Sequence, residues 1–517
     1  MLMLNNLGNS FSRRSSRRTG DLEGISEAIR NLQRAIQLTP DGHADLPALR
    51  NNLGNSFVDR FELTKDMKDI SEAIRILQHA IEDAPDKHPL LPALLNNLGN
   101  SFFARFEHTE DIEDISEAIR ISQRAIQLAP KEHADLPVLL SNLGNSFSSR
   151  FKHTRDLKDL SEGIRNIQRA IPLTPKGHAY FATLLKNLGT IFHMRFEHTG
   201  DSEFLSEAVL NYRLSATSPT GPPSDRLQAA QQWATLSRHT LFESSQLLEA
   251  HACIIQLLSL ISGLENTVQR RHESLVKSSQ LSIAASATAL SLARPDKALE
   301  WLMEGRCIVW NQLNQLRTPV DELRAHSPAH AQRLTILTKA LENAGLRTDS
   351  RSTRMESLSM EDKISLEEQA AKHIKLAKEW DLLLAEIRDI SDFNPDFLRP
   401  KRCVDIMRRL PNKGTVVIIN IHSDRCDALA LRAGATDPMH IPLSKFSYQE
   451  AERLARGLRS SLLRYGVRIG VPLGETDSPP NVGLDEVLRV LWSDIVWPIL
   501  EELDISVSLL LRSRFWV

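Results

Sequence analysis

At 517 residues the chain is too long for one hydrophobic core and should divide into two to four units. Its net charge of -2 and pI near 6.8 give no global field that would favour nucleic acid or acidic lipid. Four cysteines with no Cys-x-x-Cys pair fit a reducing interior rather than a zinc site, and no run of about 18 apolar residues stands out to span a bilayer. These features predict a cytoplasmic protein with no cofactor, no metal, no nucleic-acid partner and no membrane partner.

A repeat opens the chain. Asn-Leu-Gly recurs at Asn6, Asn52, Asn97, Asn142 and Asn187, and Ser-Glu recurs at Ser26, Ser71, Ser116, Ser161 and Ser206 with a 45-residue step. A fixed period of this size marks a solenoid, whose units bury their apolar faces only against neighbours. The first copy lacks the Asp-Leu-Pro opening and so reads as clipped, and Arg13 to Arg18 reads as its solvated end. In the second copy Asp45-Leu46-Pro47 opens a helix, with Asp45 as cap and Pro in the first turn. Leu49, Leu53 and Phe57 then form one stripe; Asp66 caps a second helix carrying Ile70, Ile74, Leu77 and Ile81, and Pro85 closes the unit.

The order Leu53-Gly54, Ala73, Ala80, Pro85 resembles the tetratricopeptide (TPR) signature, lengthened here to 45 residues. The resemblance covers residues 1 to about 215 and implies an α-solenoid of antiparallel helix pairs that binds a protein or peptide partner. Long repeats with Leu-x-Asn-Leu-Gly are similar to those of kinesin light chains, in which an Asn ladder on the first helices lines a peptide groove. The matching positions are Asn6, Asn52, Asn97, Asn142 and Asn187. A second column, Asn9, Asn55, Asn100 and Asn145, lies three residues on and shares that face, with Thr190 breaking it. An amide can pair with any peptide backbone, but it can equally staple one helix to the next, and both readings stand open. His43, His88, His133 and His178, and likewise His108, His153 and His198, keep the same step. Stacking separates such residues by about 10 Å, so loop or capping roles fit them better than metal.

Pro219 to Pro223 ends the regular array. Residues 219–345 stay helical in pattern without the 45-residue step, and 346–400 read as a polar linker and a helix. Gly414 to Ile421 is the clearest strand, Asp427 to Ala433 a second, and Tyr448 to Leu463 and Leu484 to Leu503 read as helices. The run Glu304-Gly305-Arg306, Trp310, Leu316-Arg317, the Val416 to Asn420 strand, Cys426 to Leu429, Ile441-Pro442-Leu443, Leu491-Trp492 and Pro498 to Leu500 resembles the opening of a CHAT domain, the caspase-like module found after TPR arrays in many large fungal proteins. The resemblance implies that 401–517 form an incomplete α/β module. The family's peptidase chemistry needs a His-x-x-x-His-Gly strand end and a later Cys nucleophile, and neither motif is present. His422 and Cys426, four residues apart, are a poor substitute. The expected fold is thus mainly α, a TPR-like solenoid (1–218) followed by the irregular helices and a truncated CHAT-like piece. The expected function is a non-catalytic interaction scaffold, the alternative being a cysteine peptidase whose His and Cys lie in a longer product.

Overall fold

From Leu46 onward each 45-residue copy folds as an antiparallel helix pair, and of the first copy the second helix, Leu22–Gln37, is described. A computed structural model describes residues 22–85, 88–239, 242–261, 268–306, 316, 320–345, 360–391, 393–464 and 483–505. In the copy from Leu46, the first helix, Leu46–Thr64, turns Leu49, Leu53, Phe57 and Phe61 inward, each 5% exposed or less. Pro47 sits in the first turn, where its missing N–H leaves no bond unmade. Lys65 ends the helix at φ 57°, its N–H returning to the Phe61 carbonyl at 2.7 Å. Glu110 and Arg155 make the same left-handed stop, and Gly200 supplies it in the last pair.

Asp66 then caps the second helix, Met67–Asp83, accepting from the Lys68 N–H at 3.0 Å; Asp111, Asp156 and Asp201 repeat this. The expected cap at Asp45 does not form. Its backbone is already helical, so its carboxylate makes no capping bond. His43 Nδ1 instead accepts the Asp45 N–H at 3.2 Å, and His88, His133 and His178 do the same for Leu90, Asp135 and Tyr180. The loop histidines are therefore the capping residues.

The glycine of Asn-Leu-Gly lets the two helices of a pair close. A Cβ on Gly54 would lie 2.7 Å from Leu77, and one on Gly144 would lie 2.8 Å from Ile167. Second helices pack on the next copy's first helix, and successive first helices also touch. The helix Pro223–Leu236 continues the stack, with Thr183 and Lys186 both bonded to Asp225 at 2.7 Å. This compact unit runs to Leu236.

The second unit, Ser237–Val517, begins with helices Ser244–Ile261, Val268–Ser291 and Pro295–Arg306. By length and composition Ser244–Ile261 could cross a membrane (mean hydropathy 1.2), which corrects the expectation that no such stretch exists. Its Ala250, Ile254, Ile255, Leu257 and Leu258 are nevertheless buried within the protein. Pro328–Gly345 and Met360–Arg388 build a further core around Leu334, Trp380 and Leu383.

The sheet follows: β1 (Thr415–Ile421), β2 (Cys426–Arg432) and β3 (Met439–Pro442), antiparallel in that order. The third strand was not expected, because four residues ending in Pro give little strand signal. Val417 pairs with Ala430 and Ile419 with Ala428. That face of β2 packs on Leu454 of the helix Tyr448–Arg464 and on Val487, Val490 and Ile495. On the other face, Asn420 Nδ2 donates to the Ile283 carbonyl of Val268–Ser291 at 3.1 Å. Helices on both sides explain why β2 is buried from Cys426 to Leu431 despite its antiparallel pairing. Asn6, Asn9, Arg13 to Arg18, Trp310, Arg317, most of the 346–362 segment and Ser506 to Val517 lie outside the described residues.

Candidate interaction face of the repeats

The structure divides the asparagine columns. Asn97 Nδ2 donates to Asn51 Oδ1 at 2.8 Å, Asn142 Nδ2 to Asn96 Oδ1 at 2.9 Å, and Asn187 Nδ2 to Ser141 Oγ at 3.3 Å. Each bond reaches 46 residues back, to the first helix of the preceding copy. These amides staple the stack. Asn52, at the same place in its copy, is half-buried.

Asn55, Asn100 and Asn145 differ. They are half-buried on the same face, and among the described residues their side-chain amides have no hydrogen-bond partner. The Asn145 backbone carbonyl accepts in addition from Ser148 Oγ at 2.8 Å. Thr190 ends this column, donating to the Lys186 carbonyl and accepting from the Tyr212 hydroxyl at 3.1 Å.

Sequence reasoning missed the acceptors Asn51, Asn96 and Ser141. The signal was the polar doublet before each Leu-Gly: Asn51-Asn52, Asn96-Asn97, Ser141-Asn142. It also missed an ion-pair column. Arg60, Arg105 and Arg150 grip Asp69, Asp114 and Asp159 of the second helix with two bonds each, through Nε at 2.7, 2.7 and 2.9 Å. The three carboxylates are buried, and each guanidinium also lies over a Phe ring of its own helix at 5.1–5.4 Å. In the last pair Phe204 replaces the Asp. Arg195 then stacks on that ring at 4.2 Å, and its Nε is buried without a bond. The remaining histidines complete the seams: His108, His153 and His198 meet Phe61, Phe106 and Phe151 of the preceding copy edge-on, with centroids 5.0–5.8 Å apart.

Elsewhere, Cys426 Sγ lies 3.9 Å from the His422 carbonyl, while His422 Nδ1 accepts the Asp424 N–H. Burial pushes the Cys426 thiol up, away from the thiolate that a nucleophile needs. Among the described residues no group of three or more His, Cys, Asp or Glu is placed to hold a metal ion.

No family model matches the chain, and no curated protein does. Among solved structures it is similar to BtubC (BKLC) from P. vanneervenii: identity 14%, TM-score 0.32, covering 46% of this chain and 87% of that one. It is also similar to a Podosopora anserina putative kinesin light chain with nearly identical TPR-like repeats: identity 12%, TM-score 0.31, covering 41% and 97%. An inactive variant of an α-1,6-mannanase of Salegentibacter sp. HEL1_6 matches at 12% identity and TM-score 0.26, covering 46% and 87%.

Proposed function

We propose that the repeats form a protein-interaction scaffold that holds an extended peptide along the first helices. Asn55, Asn100 and Asn145 are then the amides that meet its backbone, and Asn52, Asn97, Asn142 and Asn187 hold those helices in register. The observation that carries this reading is the column of half-buried, unbonded amides beside a bonded one. An open amide offers a donor and an acceptor together, which is what a peptide unit requires. Stacked helices repeat every ~10 Å and an extended chain advances ~3.3 Å per residue, so one amide per copy can meet about every third residue of the peptide. In this reading residues 401–517 are a CHAT-like α/β piece without catalytic function, and the protein works in a reducing, cytoplasmic setting. Support for the first point is the buried Cys426 thiol, which faces a carbonyl.

Peptides selected from a displayed library on the wild-type chain provide the test. Asn100→Ala with Asn145→Ala should weaken them roughly tenfold or more, at about 1 kcal/mol per lost bond, and leave the melting temperature unchanged. Asn97→Ala with Asn142→Ala should instead lower the melting temperature. Equal peptide binding by wild type and the first double variant would remove the second column from the binding face.

A further inference from the structure

A helix with apolar side chains on both sides is not satisfied by one core. The stretch Leu484–Glu502 is of this kind. Val487, Val490, Ile495 and Ile499 are buried against the sheet side. On the other side Leu488, Trp492 and Trp497 are 57%, 44% and 46% exposed, flanked by exposed Leu484 and Val496.

The two tryptophans line up because the helix changes winding. Five residues apart in a regular α-helix, they would point about 140° away from each other. Residues Trp492–Val496 are π-helical, and the Trp497 N–H bonds to the Trp492 carbonyl. That wider turn absorbs one extra residue, so the stripe of Leu484, Leu488 and Trp492 continues into Trp497.

Charge decides what fits this stripe. Among the described residues from Leu484 to Ile505, Asp485, Glu501, Glu502 and Asp504 are exposed against one exposed cation, Arg489. Glu486 is held by Arg453 at 3.0 Å. A second copy of the chain would set this acidic rim against itself. Tryptophans suit a membrane interface, but acids are repelled by an anionic leaflet. We propose that the stripe is a docking surface for a basic amphipathic helix of a partner protein. Its apolar residues at i and i+3 or i+4 would cover Leu488, Trp492 and Trp497, and its Lys or Arg residues would meet the acidic rim. This surface is independent of the asparagine face.

The probe is a labelled Leu/Lys amphipathic helix titrated into the full chain. Its comparators are a Leu/Glu helix of the same pattern and vesicles containing phosphatidylserine, with sedimentation reporting self-association. The Leu/Lys helix should bind, and Trp492→Ala with Trp497→Ala should weaken it roughly tenfold or more. Glu501→Lys with Glu502→Lys should weaken it at unchanged melting temperature and improve the Leu/Glu helix, a readout that does not depend on how the tryptophan variant folds. The proposal is overturned by equal binding to the tryptophan variant, by preference for the Leu/Glu helix, by vesicle binding, or by a dimer that the tryptophan substitutions dissolve.

Discussion

The repeat array and the second unit solve the same burial problem in opposite ways. In the array each polar job recurs at a fixed step along one column: capping by His43, His88, His133 and His178, bridging by the three Arg–Asp pairs, stapling by the asparagines. In the second unit the described polar contacts follow no fixed step. Asp427 holds Arg425 at 2.6 Å and His440 at 2.8 Å, and Asn420 reaches Ile283. Periodic sequence therefore yields contacts that can be read by subtraction, whereas aperiodic sequence yields elements whose partners depend on the whole unit.

The sharpest way to break this comparison is the ion-pair column. Asp114→Ala leaves Arg105 without its buried partner and should destabilise the array by about 3–5 kcal/mol. If the copies are equivalent, Asp69→Ala and Asp159→Ala should cost nearly the same in denaturant melts. A loss under about 1 kcal/mol for all three would show that the pairs behave as exposed ones.

In the second unit the corresponding probe is His251, alone and buried, 6.2 Å from the Trp301 ring, with neither ring nitrogen hydrogen-bonded. Burial first, then Arg238 and His422, push its pKa down to about 4. The folded value lies below the ordinary ~6.5, so the unfolded chain takes up the proton more readily. The contribution is complete above about pH 6.5 and is lost as pH falls toward 4, by up to about 3 kcal/mol. Urea melts at pH 7 and pH 4.5, followed by near-UV dichroism, should show this loss, and His251→Phe should flatten it. An unchanged pH profile in that variant would place the acid sensitivity elsewhere.

The smallest effect sharpens the comparison at single-bond level. Asp111→Ala removes one helix cap and should cost about 1 kcal/mol, with Asp156→Ala matching it. His133→Ala should cost no more than either in the same thermal melts, because it removes one side-chain bond to one backbone N–H.

Much of the array was legible. The stripe Leu49, Leu53, Phe57 and the Asp66 cap follow from spacing and cap chemistry. The Asp45 cap failed because an N-cap needs extended backbone, and the loop had already placed Asp45 in a helical conformation. The last helix shows the limit differently. A regular period puts Leu488, Leu491, Trp492 and Ile495 on one face, yet Leu488 and Trp492 are exposed while Val487 and Val490 are buried. Apolar residues all round the helix made the choice of inner face a tertiary one.

The sequence by itself determined the period, the helix pairs, the capping aspartates at the second helices and the two longer strands, because these depend on residues a few positions apart. Only the tertiary structure decided which asparagines are consumed as staples, which of Arg195 and its equivalents lacks a carboxylate partner, that β3 completes the sheet, and that a π-turn brings Trp492 and Trp497 together. Each of these depends on an atom contributed from another helix or strand, or on backbone winding, and neither is encoded in the spacing of the residues themselves.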